Sequence, residues 1–115
     1  MRRPPGIRTL RVAWWTDRAL RRARAQLSEG ELRSVPLPPP PRLPGHGNGV
    51  RLVLRRRNPS CLERSLVLQR WLAAHGDPRD VVIGTTGVAG FEAHAWLDGE
   101  EAGVARYTEI TRLPP

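Results

Sequence analysis

The sequence predicts a small α+β domain in which helices pack on a small antiparallel sheet. Apolar residues recur at helical spacing in the N-terminal part and again after Cys61, which indicates helices. Short strand-like segments separated by glycine turns fill the C-terminal third. With 115 residues and one cysteine, the chain is expected to form a single domain over residues 1–115 that needs no disulfide.

The first predicted element is a helix over residues 9–28, with Thr9 as its N-cap and Gly30 as its stop signal. Its apolar residues share one face, and arginines occupy the remaining surface. The adjacent Trp14 and Trp15 cannot both face one core. Either one of them contacts another protein, or a further element of the chain covers it.

A Pro/Gly-rich linker is predicted over residues 35–49. Prolines cannot donate to a helix or a strand ladder, so Pro36–Pro44 is expected to be extended polyproline II. The glycines that follow are expected to be flexible. We favour a stiff spacer wrapped over the surface, with docking into an aromatic groove of a partner as the alternative.

The remaining residues, 50–115, form the predicted core. Its first part, Val50–Arg57, fits a strand by alternation, but a helix is favoured because its last arginines would complement the helix dipole. Ser60 and Glu63 have the spacing of a capping box that starts a helix over Cys61–His75, and Gly76 is the expected C-cap.

Three strands are predicted after this helix, over Asp80–Thr85, Phe91–Leu97 and Gly103–Ile110. The first is an apolar run typical of a buried strand. Aspartate and glycine at positions 98 and 99 open a turn, which places the third strand back against the second in an antiparallel meander.

The candidate chemistry is a cysteine acyl-transfer site. As the first residue of a helix, Cys61 lies beside unpaired backbone N–H groups and the positive end of the dipole, and both favour the nucleophilic thiolate. His94, on a following strand, would draw the proton and later protonate the leaving amine. Asn58 is the proposed donor to the oxyanion, and Glu109 and Glu101 on the neighbouring strand are the candidates for an acid that orients His94. Asp98 lies about 13 Å further along the extended strand, so it could orient His94 only through a changed turn.

Other classes of function are less well supported. The net charge of +8 comes entirely from arginines, but they are spread along the chain and lack interleaved aromatics, so we expect no nucleic-acid partner. Histidines and cysteine are too scattered for zinc spacing, and we expect no metal and no cofactor. No apolar run reaches membrane-spanning length, so a cytoplasmic protein without a membrane partner is expected.

Two motifs in this order, Cys61-Leu62-Glu63-Arg64-Ser65-Leu66 and Ala93-His94-Ala95-Trp96, resemble the leader peptidases of lasso-peptide biosynthesis. That family is a bacterial branch of the transglutaminase-like, papain-like cysteine proteases. The similarity covers residues 58–99. It implies a papain-like core with Cys61 as nucleophile and His94 as base. The family's third catalytic residue is an aspartate on the strand after the histidine, and Arg106 or its neighbours occupy that place here.

The resemblance also implies partners. A peptidase of this family removes the leader from a ribosomally made precursor peptide. In split systems, a separate leader-recognition protein binds the leader and a macrolactam cyclase closes the released core. The alternative interpretation is a non-catalytic adaptor of the same fold that binds the leader or partner proteins, and the missing aspartate is its support.

Overall fold

The computed structural model describes residues 6–29, 36–86, 93–100 and 107–115. In these residues, three helices accompany one antiparallel sheet of three strands, which confirms the predicted α+β class. In chain order the elements are α1 (Ile7–Leu27), α2 (Gly47–Arg57), α3 (Cys61–Ala74), β1 (Val81–Thr85), β2 (Ala93–Leu97) and β3 (Thr108–Leu113).

Helix α1 presents the predicted face to the core, but it begins earlier than predicted. Gly6, extended at φ −66° and ψ 163°, is the N-cap residue, and its carbonyl accepts the first helical bond from Leu10 N at 3.1 Å. Thr9 as N-cap is therefore wrong. Ser28 is the C-cap residue, and Gly30 lies outside the described residues. Of the paired tryptophans, Trp15 is 2% exposed and Trp14 is 65% exposed.

The prolines form an arm that lies along α1. Residues 36–43 have no regular hydrogen bonding, as predicted, but the arm is fixed at several points. Trp15 Nε1 donates to the Pro38 carbonyl at 3.0 Å, and Leu37 is buried in the core. Near the end of the arm, Leu43 N donates to His75 Nε2 at 3.1 Å, while His75 Nδ1 lies 2.7 Å from the Trp71 carbonyl. The arm is thus a surface spacer that also completes the core.

Helix α2 confirms the helix predicted for the arginine-rich segment, and it is longer than predicted. It starts at Gly47, so the glycines expected to be flexible form its first turn. Val50 and Leu54 are fully buried on its inner side, against α1 and α3. That burial stabilises the helix and outweighs the low helix propensity of the two glycines in its first turn. Within the described residues, no helix is both long and apolar enough to cross a membrane.

The sheet differs from the predicted meander. Its strand order is β2-β1-β3, so β3 pairs with β1 and not with the histidine strand β2. The reason is burial: Val81 and Val82 point to opposite faces of β1, and each is at most 1% exposed. A strand that is apolar on both faces gains most from the central position. The pairing predicted between the third strand and the histidine strand is therefore wrong.

The sheet has two distinct faces. The inner face, formed by Val81, Ala95, Leu97 and Leu113, belongs to the same core as the helices. The outer face carries the alternate residues, which are Val82, Gly84, His94, Trp96, Glu109 and Arg112. Helix α3 contacts β2 more extensively than β1, so it lies near the β2 edge of the sheet.

Candidate active site

Cys61 is held at the first position of α3 by the predicted capping box. Glu63 N donates to Ser60 Oγ at 3.1 Å, and Ser60 N donates to Glu63 Oε1 at 2.9 Å. Glu63 also accepts from Arg24 Nε at 3.3 Å, which ties the start of α3 to α1. These contacts fix the helix start, and with it the place of the cysteine.

The surroundings of Cys61 connect it to the histidine strand. The thiol is free, half-buried and packed against the core. One turn further along α3, Ser65 is 2% exposed. Its hydroxyl lies 2.7 Å from the Cys61 carbonyl and 3.4 Å from the carbonyl of Ala95, the residue after His94. The first turns of α3 therefore lie against β2 at the level of His94.

His94 is half-buried on the outer face, among aromatic rings. Its ring centroid is 5.8 Å from that of Trp96 and 5.2 Å from that of Tyr107. Strand alternation places the imidazole on the face opposite Ala95, so a contact with Cys61 would have to pass the free edge of β2. That edge is where α3 lies. The hydrogen bond between the Cys61 thiol and the His94 imidazole stays a prediction.

The two described acid candidates are both bound by Arg112. Asp98 Oδ2 accepts from Arg112 Nη1 at 2.9 Å, and the two Glu109 oxygens accept from the same guanidinium at 2.8 and 2.9 Å. This pairing lowers the pKa of Glu109 and raises that of Arg112. Both carboxylates therefore already form an ion pair with Arg112.

The strand order also separates Glu109 from His94. Glu109 and His94 both lie opposite Gly84, but β1 separates them, so their backbones are about 10 Å apart. Glu109 could orient His94 directly only from a strand beside the histidine strand, and β3 pairs with β1 instead. Asp98 follows the far end of β2, where its N–H donates to Asp80 O at 3.0 Å. Glu101 lies outside the described residues, and the orienting acid stays a prediction.

Asn58, the proposed oxyanion donor, is exposed and ends α2 in the left-handed conformation at φ 50°. That conformation turns the chain from α2 into α3, which gives Asn58 a structural role; its part in catalysis stays a prediction. Among the described residues, no group of three His, Cys, Asp or Glu side chains is placed to hold a metal ion.

Tyr107 and Arg112 are the neighbours of the site that sequence reasoning missed. Both lie far along the chain from His94, and no local spacing signals their approach. The position of Arg112 depends on the register of β3 against β1, which the sequence does not reveal. A shift in the pairing between Ile83 and Gly84 places Glu109 and Arg112 on the same face, although three positions separate them.

Comparison with known proteins agrees with this arrangement of elements. A model of the transglutaminase-like superfamily matches residues 6–112. Searches of curated proteins and of solved structures found no significant match. The matched range includes α1, α2 and α3 and nearly all of the described sheet, with Cys61 and His94 inside it. This chain therefore belongs to the transglutaminase-like superfamily, which includes cysteine peptidases.

Proposed function

We propose that this chain is a cysteine peptidase with a papain-like core that removes the leader from a ribosomally made precursor during lasso-peptide maturation. The observation that carries the proposal is the place of Cys61, which a complete capping box fixes at the start of a helix lying against the His94 strand. Superfamily membership supports the same roles for these two residues.

The reaction follows from these two groups. His94 accepts the thiol proton of Cys61, and the sulfur attacks the carbonyl carbon of the scissile peptide bond. When that bond breaks, the imidazolium gives its proton to the leaving amine and the leader stays on sulfur as a thioester. Water then attacks the thioester, with His94 accepting its proton, and the thiol is restored. Backbone N–H groups at the start of α3 are suited to stabilise the oxyanion.

The proposal includes partners and a location. The precursor leader peptide is the substrate, a separate leader-recognition protein delivers it, and a macrolactam cyclase acts on the released core. All of these steps would take place in the cytoplasm. The resemblance of the Cys61 and His94 motifs to the lasso-peptide leader peptidases supports this context.

A non-catalytic adaptor is the second candidate, and one observation favours it. Asp98 and Glu109 are both paired with Arg112, and β1 separates Glu109 from the His94 strand. An adaptor of this fold would bind the leader or a partner without cleaving it. Such a protein has no need of a reactive thiol.

Cleavage of the precursor in the presence of its recognition protein, followed by mass spectrometry, tests the proposal. We expect Cys61→Ala to reduce leader release by at least about a thousandfold while the circular dichroism spectrum is unchanged. His94→Ala should cause a similar loss, whereas His46→Ala, a half-buried histidine at the start of α2, is the matched control and should remain active.

The same proteins distinguish the adaptor. In a peptidase, iodoacetamide should alkylate Cys61 rapidly near neutral pH and more slowly after His94→Ala. Leader release by Cys61→Ala at the wild-type rate would show that the nucleophile is elsewhere. Leader binding without cleavage, together with an alkylation rate that ignores His94, would establish the adaptor instead.

A further inference from the structure

Helix α1 and the proline arm enclose a groove that the chemistry at Cys61 does not use. Two cavities of about 470 Å³ each lie side by side along it and share Arg18 and Pro38. One wall is α1, which contributes Trp14 and four arginines, Arg11, Arg18, Arg21 and Arg22; the other wall is the prolines of residues 36–41. We call this feature the arginine groove.

The charges in the arginine groove are largely unbalanced. One of its arginines, Arg21, is paired with Asp17 at 2.5 Å, and the same carboxylate also lies 3.2 Å from Arg57 of α2. None of the ion pairs among the described residues includes Arg11, Arg18 or Arg22. The wall therefore presents several cations to whatever enters, and anionic groups would complement them.

One end of the groove is aromatic. Trp14 is 65% exposed, and the Arg18 guanidinium carbon lies 5.3 Å from the centre of its ring. The exposed apolar surface continues on the same side of α1 with Leu10, which is 54% exposed. A ligand that fits this end has an apolar side chain next to its anionic groups.

The opposite wall is fixed before any ligand binds. Trp15 holds the Pro38 carbonyl, and Arg70 Nε of α3 donates to the Leu37 carbonyl at 3.4 Å. Polyproline II is also stiff by itself. Little ordering is required when a ligand enters such a groove, which lowers the entropic cost of binding.

We propose that the arginine groove binds an extended acidic peptide segment of a partner polypeptide, with an apolar side chain of that segment packed on Trp14. From Arg11 to Arg22 the helix rises about 16 Å, which an extended peptide spans with about five residues. A single exposed ring offers no stacking platform for successive bases, so a peptide fits better than a single-stranded nucleic acid. This binding is independent of Cys61 and goes beyond the proposed peptidase.

Fluorescence anisotropy with a labelled peptide of alternating glutamate and leucine tests the proposal. We expect this peptide to bind at least about tenfold more tightly than the same peptide with glutamine in place of glutamate. The double variant Arg18→Ala/Arg22→Ala should weaken binding of the acidic peptide by about tenfold or more. Trp14→Ala should weaken it as well and should keep the preference for glutamate over glutamine.

A matched control removes the same charge elsewhere. Arg55→Ala/Arg56→Ala alters two exposed arginines in the last turn of α2, outside the groove, and should leave the affinity unchanged. All these exposed helical positions tolerate alanine, and thermal melts verify the fold. Equal weakening by both double variants would show nonspecific attraction to net charge and overturn the proposal. So would equal affinity for the two peptides, or tighter groove-dependent binding of single-stranded DNA.

Discussion

Gly84 is the position where one added methyl group should disturb the packing of the sheet. It lies on the central strand, directly opposite His94 on one side and Glu109 on the other. A Cβ at Gly84 would lie 2.8 Å from Trp96 Cη2 and 2.9 Å from the Thr108 carbonyl oxygen. Gly84→Ala should therefore destabilise the protein by overpacking, although the backbone conformation itself accepts alanine.

The expected size follows from these contacts. Carbon atoms in contact prefer about 3.5–4.0 Å, so the Trp96 ring would have to move by roughly 0.7 Å or more. The Thr108 carbonyl belongs to the backbone of β3, and it moves only with that strand. Overpacking of this kind costs about 1–3 kcal/mol, and reduced freedom of the unfolded chain returns up to about 1 kcal/mol. A net loss of about 1–2 kcal/mol should lower Tm by roughly 4–10 °C.

Thermal and urea unfolding followed by circular dichroism measure this loss, and a double-mutant cycle assigns it. In a Trp96→Phe background the two indole atoms nearest the new methyl are gone, so Gly84→Ala should cost less there, with the Thr108 contact remaining. Gly49→Ala, inside α2 with its Cβ 3.4 Å from Val12 Cγ1, is the matched control and should stabilise by up to about 1 kcal/mol. A Gly84→Ala protein as stable as wild type would refute the reasoning.

Two further predictions concern the helix start and the acidic cluster. Ser60→Ala removes the capping hydroxyl and should reduce the free energy of unfolding by about 1 kcal/mol, whereas Ser60→Thr should keep most of the stability. Urea unfolding measures both variants. An alanine variant as stable as wild type would contradict the role of the cap. Arg112 lowers the pKa of Glu109, so this pair stabilises the folded protein fully when the pH is above 4.5, the ordinary pKa of glutamate. The contribution disappears as the pH falls through the lowered pKa of Glu109 in the folded state. Melts from roughly pH 6 to 3 should therefore show a steeper loss of Tm for wild type than for Arg112→Met, and about 1 M salt should shrink the difference because the cluster is exposed; parallel curves would contradict this.

The sequence by itself determined the elements whose interactions are local. The capping box requires only Ser60 and Glu63, three positions apart, and it placed Cys61 correctly at the first residue of α3. Helical spacing likewise predicted that the apolar residues of α1 share one face, and Val12 and Ala19 on that face are buried. Such signals are readable because hydrogen bonds and side-chain neighbours in a helix lie within four residues of each other.

The tertiary structure decided the strand order, and with it the surroundings of the candidate base. The continuous apolar run of β1 did predict a buried strand, but it carried no information on which neighbours would flank it. A shift in register then placed Glu109 and Arg112 on one face, where strict alternation would separate them. Tyr107 also comes to lie beside His94 only in the folded chain. Strand pairs form across long loops and are selected by the burial of whole faces, so the local sequence specifies them only weakly.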